Sequence, residues 1–274
     1  MTRNTLILLA TALALSACHQ IPDNSMQPTD QVVSPADNLR FERLKREARG
    51  AFLTDVRTVA DVEDSAGLFA QALQIRTDDY DSLWEAARTC IWLSNYGPEK
   101  KQKEYVRRGI TYANTAVLLR PEGEEGLFYD GALAGKLAEL DISYGPDSLK
   151  TVMARMEQLV ELGSNYNYGG PERILGIIYM RTPGSPLGPG DWDKAEEHMN
   201  LALNTDPNWP ENQLYMAELE FGLANKRDLP EFKARARARL QKHFLAQDAQ
   251  APMGAKFEFE HWQLDARKLL EDNK

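Results

Sequence analysis

The sequence predicts an all-α fold, an α-solenoid of about four helical hairpins with a capping helix at each end. Three observations carry this. Small residues recur at a constant interval: Ala87, Gly131, Gly176 and Ala217 are 44, 45 and 41 residues apart. A second series keeps the same period, with Ala72 and Ala116 separated by 44 and Ala202 a further 86 on, the middle copy falling near Val160. No alternating apolar/polar run is long enough to read as a strand, and the breaks between helical segments are short and rich in Gly and Pro. Two landmarks sharing one period imply stacked pairs of helices, with small residues where paired helices touch.

Taken in order, the chain opens with Arg3 and an apolar run from Leu6 to Leu13, too short for a permanent membrane helix. Leu15-Ser16-Ala17-Cys18 follows, resembling the lipobox of bacterial lipoproteins. Residues 1–17 are therefore expected to be a lipoprotein signal peptide and Cys18 the lipidated N-terminus of the mature chain. His19 rather than Asp follows the cysteine, which points to the outer membrane, facing the periplasm. Each buried acyl methylene adds about 0.8 kcal/mol to such an anchor. Residues 18–37, with Pro22, Pro28 and Pro35 among polar residues, read as a flexible tether. Residues 38–274 read as a single helical-repeat domain.

Ser34-Pro35 has the form of a helix start, and Asn38 to Arg57 is a charged amphipathic segment expected to cap the array. The repeats follow. In the third, Leu175-Gly176-Ile177-Ile178-Tyr179 lies on the first helix, Ala195, Met199 and Ala202 lie on the second, and Pro207 closes the unit. Thr77 and Pro121 stand at the matching closing positions, with Ser164 in the middle copy. Asn95-Tyr96-Gly97-Pro98 and Ser143-Tyr144-Gly145-Pro146 each end one helix with Gly and restart another with Pro. Three prolines limit the loop from Thr182 to Gly190, and Asp191 is placed to cap the helix after it. A basic helix from Leu229 to Phe244 and an amphipathic one through Trp262, Leu264, Leu269 and Leu270 end the chain.

In a solenoid of helix pairs the first helices line the concave side. Counting from the landmark residues places Trp84, Arg88, Ile91 and Trp92 there, then Phe128, Ala132, Gly135 and Lys136. Next come Arg173, Ile177, Met180 and Arg181, and last Leu214, Glu218, Phe221 and Gly222. Such a surface is apolar, with a few arginines among aromatics. One reading is a cleft for an apolar ligand whose carboxylate meets Arg88, Arg173 or Arg181. The other is that Trp84, Trp92 and Phe128 pack between helices and line nothing.

The formal net charge is −9, and losing Arg3 and no acid with the leader makes it −10, which argues against a nucleic-acid partner. With Cys18 acylated, Cys90 has no disulfide partner and reads as a buried thiol in an apolar helix. The basic runs at 99–103 and 233–239 read as solvated faces. His198, His243 and His261 read as isolated, so no metal site is expected, and no catalytic constellation or cofactor motif is present. The loop Asn165-Tyr166-Asn167-Tyr168-Gly169-Gly170-Pro171 is either a gate or partner contact, or a turn stapled to the next helix by its tyrosines.

The hairpins resemble tetratricopeptide repeats, although a period near 44 exceeds their usual length of about 34. The lipobox, the Gly169-Gly170-Pro171…Leu175-Gly176…Tyr179 helix, the Pro183-Gly184…Gly190-Asp191 loop and Ala195…Ala202…Pro207…Pro210-Glu211-Asn212 together resemble the TatT family. Those are lipoproteins associated with tripartite ATP-independent periplasmic (TRAP) transporters. The resemblance spans most of Gly67 to Asn225 and departs at Thr77, where the closing proline is missing. It implies a non-enzymatic helical protein with an apolar pore or cleft, a homo-oligomer, and docking of a periplasmic solute-binding protein. Ligands of such systems are expected to be small organic acids or hydrophobic carboxylates. The alternative is a protein–protein scaffold of envelope assembly that takes no small molecule.

Overall fold

A computed structural model of the protein describes residues 19–21, 25–27 and 32–274. The leader and Cys18 lie outside the described residues. Eleven α-helices and no strand are found among the described residues. In chain order they are α1 (Pro35–Phe52), α2 (Val59–Ile75), α3 (Tyr80–Tyr96), α4 (Glu99–Leu119), α5 (Glu124–Leu140), α6 (Gly145–Glu161), α7 (Tyr166–Arg181), α8 (Trp192–Thr205), α9 (Pro210–Arg227), α10 (Pro230–Leu240) and α11 (Lys256–Asp272). Each odd helix up to α9 packs most closely on the even helix that follows it, so α1 to α10 form five antiparallel hairpins. First helices also touch the first helices of neighbouring hairpins, which makes them the inner wall of a curved stack.

The helix boundaries follow from local chemistry. Ser34 accepts the Asp37 N–H ahead of Pro35, as its position predicts. Thr58 and Asp61 form a reciprocal capping box at the start of α2, and Asp191 accepts the N–H groups of Asp193 and Lys194 at the start of α8. The first helix is shorter than the segment from Asn38 to Arg57: it ends at Phe52, because the Thr58 cap requires an extended residue before α2. Leu39 and Val56, apolar residues within that segment, are exposed. Arg57 therefore lies in a loop, and its side chain is buried.

The landmark residues occupy matching seats. Ala87, Gly131, Gly176 and Ala217 are all buried on first helices. A methyl group on Gly176 would stand 2.8 Å from Met199 Cγ of α8, and one on Gly131 would run into Met156 of α6. Met156 and Met199 are themselves fully buried at equivalent points of their hairpins. Close approach of the paired helices thus depends on the missing side chain.

Two segments run against the stack. Where it is described, the segment expected as a tether follows the body: the His19 N–H donates to Ser143 O at 3.1 Å, Ile21 N–H to Asp147 Oδ2 at 2.6 Å and Met26 N–H to Thr115 Oγ1 at 2.8 Å. Ile21 and Met26 are partly buried against the main core. At the other end α11 crosses the inner wall. Trp262 meets Trp209, just before α9, at 5.9 Å between rings, while Phe257 meets Trp92 of α3 at 5.1 Å. These residues are five apart, roughly 8 Å along a helix. The curvature of the stack therefore brings the second and fifth hairpins close together.

Candidate functional site

The inner wall divides into two regions. In the first, the end of α1, the following loop and helices α3, α5, α7 and α11 surround a group of aromatics and two guanidinium groups. Arg88, on α3, has its Cζ 4.2 Å from the Phe52 ring centre and 5.1 Å from that of Trp84. Arg57 stands 4.5 Å from the same Phe52 ring. Trp84 stacks on Tyr129 of α5 at 6.2 Å, and the Tyr166 hydroxyl donates to that of Tyr129 at 3.2 Å. Burial pushes both tyrosines above their ordinary pKa, so they remain neutral.

Charge is poorly matched here. Arg88 Nε and Nη2 are buried and donate to nothing, and Arg57 Nε likewise makes no hydrogen bond. Arg57 Nη2 donates to Gly254 O, and its Nε faces Glu258 Oε1 at 3.5 Å. Burial, and less strongly the Arg88 charge, draw Arg57 below its usual range, with Glu258 opposing them. Glu85, one turn from Arg88, is held by Arg49 at 2.7 Å and so is not available to it. Buried charged donors without acceptors are costly and rare in a finished core, and an acceptor such as the oxygen of an anion would satisfy them.

The second region, between α7 and α9, is fully engaged. Arg173 is buried and its Nη1 donates to Asn212 Oδ1 at 2.8 Å and to Asn167 O at 3.3 Å. Its Nη2 faces Glu211 Oε2 at 3.1 Å. Asn212 Nδ2 in turn points at the carbonyls of Tyr168, Ala202 and Asp206, each at 3.0 Å. This network holds an unusual turn: Asn167, Tyr168 and Gly169 have φ of 53, 59 and 78° in succession. Left-handed backbone costs about 1–2 kcal/mol for each non-glycine residue, so the turn persists because Arg173 and Asn212 bind its carbonyls. Tyr168 stacks on Trp209 at 3.8 Å. The loop from Asn165 to Pro171 is thus a stapled turn.

The residues expected on the concave face are distributed as follows. Trp84, Arg88 and Ile91 are half-buried in the first region, with Phe128 buried beside Tyr129 and Tyr166. Trp92 is buried against Phe257 and donates from Nε1 to Glu258 Oε1 at 2.8 Å. Leu214 and Phe221 are buried in a separate cluster with Phe244, Phe259 and Trp262, which α11 and the segment before it cover. Ile177 is half-buried and Met180 buried on α7. Arg181 is exposed and forms a two-pronged pair with Glu218 at 2.9 and 2.6 Å. Of the three arginines expected to meet a carboxylate, Arg88 alone has buried nitrogens without partners.

Arg57, Tyr129 and Glu258 were not foreseen. The Thr58…Asp61 capping box could have placed Arg57 outside the helix. For Glu258 there is no local signal, since its partners, Trp92 and Arg57, lie far back in the chain.

His198 is not isolated, as the sequence suggested: its Nδ1 lies 2.5 Å from Glu172 Oε2, on the face joining α8 to α7. The pair was hidden because its members are 26 residues apart. His261 stacks on Phe257 at 4.5 Å. Among the described residues no cluster of three or more His, Cys, Asp or Glu could hold a metal ion. Cys90 is buried, and burial pushes its thiol up to about 12, which suits a packing role better than a nucleophilic one. A cavity of about 280 Å³ lies between α2 and α4, where Glu63 accepts from Lys101 at 2.9 Å and from Tyr105 at 2.5 Å.

No family model and no curated protein matches the sequence. Among solved structures, the fold is similar to a thermophilic TPR protein of Thermus thermophilus. The two are 19% identical, with a TM-score of 0.58, over 83% of this chain and 99% of that one. The chain is thus an all-helical solenoid of tetratricopeptide-like hairpins. At this identity the likeness establishes the fold and nothing of the function.

Proposed function

We propose that the protein is a non-enzymatic binding module of the bacterial envelope, an accessory to solute uptake that takes a small apolar carboxylate on its inner wall. The unpartnered, buried Nε and Nη2 of Arg88, set among Phe52, Trp84 and the Tyr129–Tyr166 pair, carry this reading. A carboxylate accepts two parallel N–H bonds from a guanidinium, and the aromatic surroundings suit an apolar body attached to it. The lipobox ending at Cys18, with the TatT-like Gly-Gly-Pro helix and Gly/Pro loop, supplies the setting. Cys18 is lipidated, the protein faces the periplasm from the outer membrane as a homo-oligomer, and its protein partner is the solute-binding protein of a TRAP-type transporter.

Native mass spectrometry of the protein purified from its own envelope tests the ligand. A bound organic acid that is absent from Arg88→Gln supports the proposal; a wild-type protein carrying no small molecule and binding none of a series of carboxylates opposes it. Partition of the mature protein into the aqueous rather than the detergent phase would contradict the anchor.

A second reading is a scaffold that binds a protein segment and no small molecule. Helix α11 favours it, because a helix of the chain itself already lies on the inner wall. Copurification of an envelope-assembly protein without any small ligand would select it.

A further inference from the structure

We infer that the docked segment after Cys18 fixes which edge of the stack faces the membrane: the turns inside the hairpins, led by Ile142 between α5 and α6, lie against the lipid surface. This rests on the lipidation of Cys18 proposed above and adds the orientation that the anchor imposes.

The path of the segment carries the inference. Immediately after Cys18, the His19 N–H donates to Ser143 O at 3.1 Å, and the imidazole lies 5.3 Å from the Tyr144 ring. Two residues on, Ile21 N–H donates to Asp147 Oδ2 at 2.6 Å. These partners belong to the short turn Ile142–Tyr144 and to the first turn of α6. Further along, Met26 N–H reaches Thr115 on α4 at 2.8 Å, and Gln27 O accepts from Thr77 Oγ1 at 2.9 Å. Where it is described, the segment therefore runs over the second helices and is held on them. Consecutive Cα atoms are about 3.8 Å apart, so an acyl group on Cys18 starts within one residue of the Ser143 turn.

The surface around that point suits lipid. Ile142 is 89% exposed, and Leu187, in the loop that joins α7 to α8 in the next hairpin, is 83% exposed. Turns inside successive antiparallel hairpins lie along one edge of a stack, so the two side chains belong to the same edge. Asp141, beside Ile142, is paired with Lys103 at 3.4 Å and does not set a bare charge against the bilayer. Exposed aliphatic side chains next to an acyl anchor gain by entering the interface, and a one-point tether becomes a contact along the edge. The opposite end of the 17-residue α6 lies about 25 Å away and is turned from the membrane.

The test uses the full-length lipidated protein in vesicles of phosphatidylethanolamine and phosphatidylglycerol that include a lipid with a nitroxide on its acyl chain. A fluorophore is attached at Ile142→Cys or at Leu162→Cys, at opposite ends of α6; both positions are accessible, whereas Cys90 is buried and stays unlabelled. Quenching at position 142 is expected to exceed that at 162 at least threefold. Ten Gly/Ser residues inserted after Gln20 put roughly 17 Å of flexible chain between anchor and Ile21, and are expected to bring the ratio near one. Equal quenching at the two positions in the uninterrupted chain, or a difference that the insertion leaves intact, overturns the orientation while leaving the anchor. A protein whose Cys18 carries no acyl chain by mass spectrometry, and that does not float with the vesicles, overturns the lipidation and the orientation with it.

Discussion

Arg88 and Arg173 both lie on first helices of the stack, and their surroundings are opposite. Arg173 is buried among Asn212, Glu211 and the carbonyl of Asn167, every one of them in place to receive it. Arg88 lies on aromatic rings with two buried nitrogens that meet no acceptor. The difference teaches that position on an inner wall does not by itself make a binding residue. What separates the two arginines is whether the fold has already spent their hydrogen bonds. Between α7 and α9 they stabilise a left-handed turn, whereas on α3 those of Arg88 Nε and Nη2 are unmade.

Stability measurements sharpen this contrast most strongly. Removing one partner of a buried ion pair costs about 3–5 kcal/mol, so Arg173→Ala is expected to lower the urea midpoint sharply and to free the turn at Asn167–Gly169. Arg88→Gln removes no hydrogen bond and only ring contacts, for a change within about 1 kcal/mol. Equal losses would erase the distinction between the two regions.

A smaller effect separates the hairpins themselves. Gly176→Ala places a methyl 2.8 Å from Met199 Cγ and 3.3 Å from Met199 N, and is expected to cost about 1–3 kcal/mol. Gly131→Ala meets the flexible terminal methyl of Met156, with Arg155 Cβ at 3.2 Å, and is expected to cost less than Gly176→Ala. Thermal unfolding of the two variants checks the order.

The smallest expected effect concerns pH and two acids, Asp130 buried and Asp79 half-buried. Burial raises the Asp130 carboxyl despite its bond from Arg155, so the folded state holds that proton more tightly than the unfolded one. Its contribution therefore falls as pH rises from the unfolded pKa through the folded one. Asp79 is half-buried, and bonds from Lys45 and Ser82 outweigh its partial burial and lower it. Its contribution is present above the unfolded pKa and is lost as pH falls through the folded one. Asp130→Asn is expected to flatten the first trend, and Asp79→Asn the second, in denaturation curves taken across the carboxylate range.

Much of the stack was legible because its spacing is written in residues that cannot be large. Ala87, Gly131, Gly176 and Ala217 sit where two helix backbones approach, and that steric demand repeats with each hairpin. Caps at Ser34 and Asp191 were equally readable, since a cap is satisfied within three residues. The occupied state of the inner wall was not. Arg173 meets Asn212 39 residues away, and Trp92 meets Glu258 166 residues away. Whether the stack curves enough to bring α11 onto α3 is set by small rotations summed over all five hairpins. The same holds for His19, Ile21 and Met26, whose partners lie on later helices.

The most direct measurement is an octanoate titration followed by tryptophan fluorescence, with Trp84 and Trp92 as reporters, in wild type, Arg88→Gln and Arg181→Gln. Arg181 is already paired with Glu218. Saturable binding that Arg88→Gln abolishes and Arg181→Gln leaves within about twofold is the predicted result. Binding that survives in Arg88→Gln, or that Arg181→Gln weakens equally, would contradict the account.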